Sequence, residues 1–358
     1  MIDLTQSPAS QGFRMPAEWA PHAATWLAWP HKEASWPGKL ERIPPVFSAM
    51  VRALAPGEAV RICVADAAME AAAGALLAGV DAMEFFHVAN NDAWIRDHGP
   101  IFVNDGDGAQ AIVDWGYNAW GDKYPPYDLD DTVPARIGAK LGIPVFHSDM
   151  ILEGGSIDSD GEGTLLTTEA CLLNRNRNPQ LSRGEIESRL RDYLGVDTIV
   201  WLGEGIAGDD TDGHVDDLTR FVAPGVVVTA VEENVSDPNA APLAANLQRL
   251  RAVRDAQQHR LEIFTLPMPA PVEWEGQRLP ASYANFYIGN CVVLLPQFAC
   301  AHDEVAHRVL ETLFPQREII GIDCRDLVWG LGAFHCLTQQ HPSPGYRAQP
   351  SPRGNHLT

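Results

Sequence analysis

The chain has 358 residues, 46% of them apolar and 20% charged, and a net charge of −21 with a pI near 4.8. A substantial core can form, and the shortage of clustered Lys and Arg excludes nucleic acid and anionic membrane as partners, while the acidic field favours a cationic ligand. No apolar run approaches ~18 residues, no basic-then-apolar leader opens the chain, and the six cysteines are scattered, so a cytoplasmic protein with free thiols is expected.

In chain order, a helix is predicted over 46–54, a strand over 59–64 and a helix over 67–77. A strand over 111–115 and a helix over 132–141 follow, then strand 163–167, helix 183–194 and strand 198–202. The hairpin-like pair 218–222 and 226–231 comes next, before helix 240–257, strands 261–266 and 291–295, and helix 303–313. Alternating strands and helices indicate an α/β protein, and the hairpin-like pair predicts mixed sheets rather than one doubly wound parallel sheet. No composition break divides 1–342, which reads as a single domain; 343–358, rich in Pro, Ser, Gly and Asn, reads as a surface-bound or disordered tail.

Four segments carry chemistry. Gly213-His214-Val215-Asp216-Asp217 runs into Leu218-Thr219-Arg220-Phe221-Val222, so an extended backbone would project His214 and Asp216 from one face. Asn91-Asp92-Ala93-Trp94-Ile95-Arg96-Asp97 precedes a Gly99-Pro100 turn and offers a cation both acids and an aromatic face. Leu152-Glu153-Gly154-Gly155 places an acid before two glycines that permit close backbone approach, and Glu153 could orient the imidazole of His214. Gly330-Leu331-Gly332-Ala333-Phe334-His335-Cys336 ends a glycine-rich loop on a cysteine followed by Thr338-Gln339-Gln340, unlike a core cysteine. An extended segment would turn His335 away from Cys336, so His214 is the expected partner of the thiol.

Other matches fail. Gly203-Glu204-Gly205-Ile206-Ala207-Gly208 fits G-x-G-x-x-G, but an acidic stretch follows instead of a helix, which would repel a pyrophosphate. The glycine of Asp158-Ser159-Asp160-Gly161 falls too early for a calcium loop. No Cys-x-x-Cys or His-Glu-x-x-His occurs, so a zinc site is not expected.

A thiol, a histidine, an orienting Glu153 and the paired acids Asp97 and Asp216 suit a guanidinium better than an amide. Two ionised aspartates would oppose a developing oxyanion, whereas a guanidinium is flat, permanently charged and shaped for carboxylates. Cys336 would attack the central carbon, ammonia would leave, and water would cleave the S-alkylthiouronium adduct, with His214 as acid and then base.

Met15-Pro16-Ala17-Glu18-Trp19, Trp26-Leu27-Ala28-Trp29-Pro30, Trp94-Ile95-Arg96-Asp97, Leu152-Glu153-Gly154-Gly155, Gly213-His214-Val215-Asp216 and His335-Cys336-Leu337-Thr338-Gln339-Gln340 together resemble the agmatine deiminases. These belong to the bacterial-type peptidyl-arginine deiminase group of the guanidine-modifying superfamily. The resemblance implies a pentein fold, a five-bladed α/β propeller of ββαβ units with pseudo-fivefold symmetry. It also implies a cofactor-free hydrolase of linear amidines, converting agmatine to N-carbamoylputrescine and ammonia for putrescine and polyamine synthesis, and suggests a homodimer or larger. Carried over, it makes Cys336 the nucleophile, His214 the acid–base, Asp97 and Asp216 the guanidinium clamps, and Glu153 the companion of His214. Acidic and tryptophan-rich surroundings (Asp92, Trp94, Asp210, Asp212, with Trp26, Trp29 and Trp120) favour an amine tail, with Asp92 or Asp212 expected to hold it. A peptidyl-arginine or free-arginine deiminase is the alternative enzyme; a silent polyamine-binding protein is the alternative of another class.

Overall fold

The computed structural model describes residues 2–346. Local chemistry sets its helices. Ile43–Leu54 starts on two prolines and buries Ile43, Phe47, Met50, Val51 and Leu54 along one stripe. Arg183–Leu194 is opened by a Ser182–Glu185 capping box and closed by Gly195 in the left-handed region. Strands such as Val226–Val231 are β-branched and buried.

These elements recur in one plan. Ile101–Asn104 pairs antiparallel with Gln110–Gly116, helix Val133–Leu141 crosses over, and Val145–Ile151 returns parallel. The same ββαβ order follows with Asp158–Ser159, Thr164–Thr168, helix Arg183–Leu194 and Thr198–Leu202. It repeats with Thr219–Ala223, Val226–Val231, helix Ala240–Ala252 and Glu262–Pro267. A further unit has Tyr287–Ile288, Val292–Gln297, helix His302–Leu313 and Glu318–Asp323. The remaining unit is completed by the end of the chain: Gln339–Pro342 pairs antiparallel with His22–Ala28, and helix Ile43–Leu54 leads to the parallel strand Ala59–Val64. Helix Ala67–Leu76 and strand Met83–His87 extend that sheet to four strands. The result is the expected five-bladed α/β propeller with mixed sheets. Among the described residues, no helix is long and apolar enough to cross a membrane.

Two expectations change. Residues 213–217 are not extended; Val215–Asp217 form a 3-10 turn and the strand begins only at Thr219. The helix expected over 240–257 stops at Ala252, where the backbone turns extended at Val253. Of the expected tail, Ser343 is tied down, donating its N–H to Pro21 at 2.7 Å and accepting from Asn104 Nδ2 at 3.1 Å; residues 347–358 lie outside the described residues.

The closing strand carries a titratable anchor. His341 stacks on Phe102 at 4.0 Å, its Nε2 lies 2.7 Å from Gln110 Oε1, and Arg61 donates to its Nδ1 at 2.9 Å. An arginine donating to Nδ1 requires the neutral ring, with Nε2–H donating to Gln110. Burial first, then the Arg61 and His22 charges, push the ring down to about 3. Because the folded value is depressed, the stability this ring supplies is complete above the unfolded value near 6.5 and is lost as pH falls towards 3, at about 1.4 kcal/mol per unit. Urea unfolding at pH 7 and pH 5 should show the wild type losing about 2 kcal/mol more than His341→Gln; equal losses would contradict a neutral His341.

Candidate active site

The chemistry-bearing residues share one position in the fold. Each lies just ahead of the first strand of a blade: Asp97 before Ile101–Asn104, Glu153 before Asp158–Ser159, His214 and Asp216 before Thr219–Ala223, and Cys336 before Gln339–Pro342. A propeller brings those strand entrances together. Residues far apart in sequence therefore meet.

Two glycines let them meet closely. A Cβ on Gly154 would lie 2.1 Å from the carbonyl oxygen of Arg96, so only glycine lets this segment rest against the turn that carries Asp97. A Cβ on Gly155 would lie 2.7 Å from Asp97 Oδ1, 2.7 Å from His214 Nδ1 and 3.0 Å from Asp216 Oδ2. Those three atoms therefore face a single point. Cys336 Sγ lies 3.6 Å from Asp216 Oδ2.

Asp97 is 5% exposed and accepts from the Gly155 N–H and from Trp120 Nε1, each at 2.9 Å. Trp120 reaches it from a left-handed turn in which Ala119, Trp120, Gly121 and Asp122 all have positive φ. Such backbone is costly for non-glycine residues and persists where surrounding structure imposes it. Burial raises the Asp97 carboxyl; His214 opposes the rise, and Asp216 and Glu153 add to it.

His214 is fully buried, and neither ring nitrogen has a hydrogen-bond partner among the described residues. Its Nδ1 lies 3.7 Å from Asp97 Oδ1 and its Nε2 3.9 Å from Glu153 Oε2, ion-pair distances that are too long for hydrogen bonds. Burial alone would lower the ring, but Asp97, Cys171 and Glu153 outweigh it and hold His214 well above the ordinary histidine range. Glu153 does not make the expected hydrogen bond to the imidazole. Its Oε1 instead accepts from Arg177 Nε at 2.6 Å, and this guanidinium offsets burial and keeps the carboxylate ionised.

Asp216 has a comparable partner behind it. Its Oδ2 is 2.7 Å from His335 Nδ1, whose Nε2 is 2.8 Å from Glu18 Oε2. Glu18 in turn is paired with Arg96 at 3.2 Å and Arg220 at 2.9 Å. Burial works against the Asp216 carboxylate, yet His335, with the His214 and Arg220 charges, outweighs it and lowers the group, while Oδ1 has no hydrogen-bond partner among the described residues. His335 Nδ1 and Cys336 Sγ both approach Asp216 Oδ2, at 2.7 and 3.6 Å, and 334–337 is a turn rather than the expected extended segment. Burial, then Asp216, Asp217 and Asp97, push the Cys336 thiol well up, so it is protonated in the free protein.

A cavity of about 200 Å³ opens from Cys336 and Asp97. Trp94, Trp120 and Trp329 wall it, and Asp92, Asp210 and Lys32 stand further along it. Trp94 is fixed by Trp36 at a ring separation of 5.2 Å. Asp92 meets Ser35 Oγ at 2.6 Å and Lys32 Nζ at 3.1 Å; Asp210 accepts from the Tyr124 hydroxyl. Asp212 does not line the cavity, contrary to expectation. Arg177 at 2.7 Å, Asn176 at 2.9 Å and Lys123 at 3.0 Å take up its carboxylate. Trp26 and Trp29 are core residues.

Glu153, Cys171 and His214 bring one potential metal-ligand atom each to within 4.8 Å of one another. Arg177 already neutralises Glu153 there, and its cation opposes a divalent ion. The sequence reading passed over Arg177, Glu18 and Asn285; the last stands as a polar residue inside Tyr283-Ala284-Asn285-Phe286-Tyr287, its one visible signal.

Known proteins resemble this chain over nearly its whole length. The model of the Porphyromonas-type peptidyl-arginine deiminases matches residues 14–342. An agmatine deiminase of Ectopseudomonas mendocina (strain ymp) is 40% identical, over 96% of this chain and 99% of that protein. The solved agmatine deiminase of Enterococcus faecalis is 34% identical with a TM-score of 0.90, covering 94% of this chain and 98% of its own. An agmatine deiminase of C. jejuni, solved as a cysteine-to-serine variant with substrate bound, is 31% identical with a TM-score of 0.86, covering 93% and 97%. The chain belongs to the Porphyromonas-type peptidyl-arginine deiminase family.

Proposed function

We propose that this protein is an agmatine deiminase, hydrolysing agmatine to N-carbamoylputrescine and ammonia. The observation that carries the reading is the convergence of Asp97 Oδ1, Asp216 Oδ2 and His214 Nδ1 on one point beside the Cys336 sulfur. A planar cation with donors on several sides fits the two carboxylate acceptors so placed, with protonated His214 beside them to supply a proton. The relatives' activity supports the same reading.

In this mechanism the guanidinium lies between Asp97 and Asp216. Its charge offsets the acids that hold the thiol protonated, so the thiol proton leaves for solvent on binding. The thiolate bonds to the central carbon while protonated His214 gives its proton to the departing nitrogen, and the C–N bond breaks to release ammonia. The adduct is an S-alkylthiouronium. Neutral His214 then takes a proton from water, oxygen bonds to the carbon, the C–S bond breaks to restore the thiolate, and the proton left on that oxygen goes to solvent to give the neutral urea product. Glu153, held ionised by Arg177, favours the protonated form of His214 before each turnover.

The tail of the substrate lies along the tryptophan-walled cavity. Three carboxylates, Asp92, Asp97 and Asp210, line it against the Lys32 ammonium, with Lys123 paired to Asp210 at 3.1 Å from outside the lining; the remaining acidic excess favours a ligand cationic at both ends. Asp210 replaces Asp212 as a candidate anchor, together with Asp92. Lys32 is the feature that favours the arginine reading, since it could take a carboxylate. Polyamine synthesis is the expected setting. A cytoplasmic location is inferred from six cysteines that form no disulfide.

Ammonia release from agmatine, free arginine and a blocked arginine peptide, measured side by side, tests the reading. Agmatine should exceed the others in kcat/KM by at least about a hundredfold, because each would bring a neutral or anionic group to an anionic mouth. Faster release from arginine or the peptide would overturn it. In Asp210→Asn and Asp92→Asn the KM for agmatine should rise about tenfold, with kcat little changed; unchanged KM in both would refute the tail assignment.

A further inference from the structure

Four of the five blades supply a residue already assigned from the turn that enters their first strand. The fifth, which starts with Tyr287–Ile288, is entered through Asn285, which is 1% exposed. Its Oδ1 accepts the backbone N–H of His335 at 3.1 Å and that of Cys336 at 3.3 Å. Two backbone donors on one atom identify it as the carbonyl oxygen and so fix which way the amide points. The opposite atom is the nitrogen. It lies 3.0 Å from Cys336 Sγ and 3.0 Å from Asp217 Oδ1. Both of its N–H bonds therefore have partners, and one of them is the sulfur.

We propose that Asn285 is a catalytic residue of this site: its side-chain N–H donates to the Cys336 sulfur and stabilises the thiolate, both when it forms and when it leaves the adduct. The inference rests on the proposed role of Cys336 as nucleophile. Among the described residues Asn285 is the one hydrogen-bond donor to that sulfur, whose other close polar neighbour is the Asp216 carboxylate at 3.6 Å. Burial and three acids push the thiol up, and the Asn285 contact works the other way. Asp217, behind the amide, is raised well above the carboxylate range by burial and then by Asp216.

The chemistry needs such a donor twice. In the first half-reaction the S–H proton leaves, sulfur bonds to carbon, and the C–N bond breaks as the nitrogen takes the His214 proton. In the second, oxygen from water bonds to that carbon and the C–S bond breaks with its electron pair on sulfur. Negative charge sits on sulfur before the first event and after the second. A hydrogen bond to a charged group shifts such an equilibrium about tenfold to hundredfold. The same bond makes the thiolate a better leaving group.

The test uses the full chain as wild type, Asn285→Asp and Asn285→Ala, with iodoacetamide alkylation of Cys336 followed by mass spectrometry across pH. Asn285→Asp keeps an oxygen for the two backbone N–H groups and loses the donor to sulfur, which separates bracing of the backbone from stabilisation of the thiolate. The alkylation midpoint should rise by about one to two pH units in both variants. Turnover of agmatine should fall about tenfold or more in kcat, with KM changed less than about threefold. Midpoints equal to the wild type in either folded variant would overturn the role of Asn285. A Cys336 that resists alkylation while agmatine still turns over would instead overturn the nucleophile assignment, and this inference with it.

Discussion

Burying several carboxylates around one point is possible only if cations stand behind them. An ionised acid taken out of water without a partner costs several kcal/mol, and acids facing each other make that worse. Here the compensation comes from the side away from the cavity. Arg177 holds Glu153, His335 holds Asp216, and Glu18 with Arg96 and Arg220 holds His335. On the other side His214 is the one protein cation facing Asp97 and Glu153 among the described residues, and Asp97 is the acid of this cluster that lines the cavity.

The propeller is what makes the arrangement affordable in chain terms. Each blade donates one short turn, at the entrance to its first strand, so five small contributions meet without any long loop. The chain end completes the first blade through Gln339–Pro342, which places Cys336 opposite turns that lie more than a hundred residues earlier in sequence. Gly154 and Gly155 then allow the distances on which the chemistry depends.

Much of the site was legible in the sequence because its residues lie in short motifs with unusual chemistry: His214 and Asp216 two apart, Glu153 before two glycines, Cys336 after a glycine loop. The reasoning behind one of them did not hold. His214 and Asp216 share a face through a 3-10 turn, not through strand alternation. Two of the inner strands were invisible, since Asp158–Ser159 and Tyr287–Ile288 have two residues each and show no period. Asp212 looked free because its partner Arg177 lies thirty-five positions away. Asn285 sits among aromatic core residues, where a polar side chain is visible but its partners are not. The fivefold plan came from family resemblance; units of unequal length carry no repeating period in the residues.

The account stands on the sulfur of Cys336 bonding to the central carbon of a cation pinned between Asp97 and Asp216. The most direct measurement is mass spectrometry of the enzyme quenched in acid during agmatine turnover. The peptide containing Cys336 should gain the mass of agmatine less ammonia, and Cys336→Ser should show neither adduct nor turnover. Continued ammonia release from the serine variant, or an adduct on another residue, would contradict it.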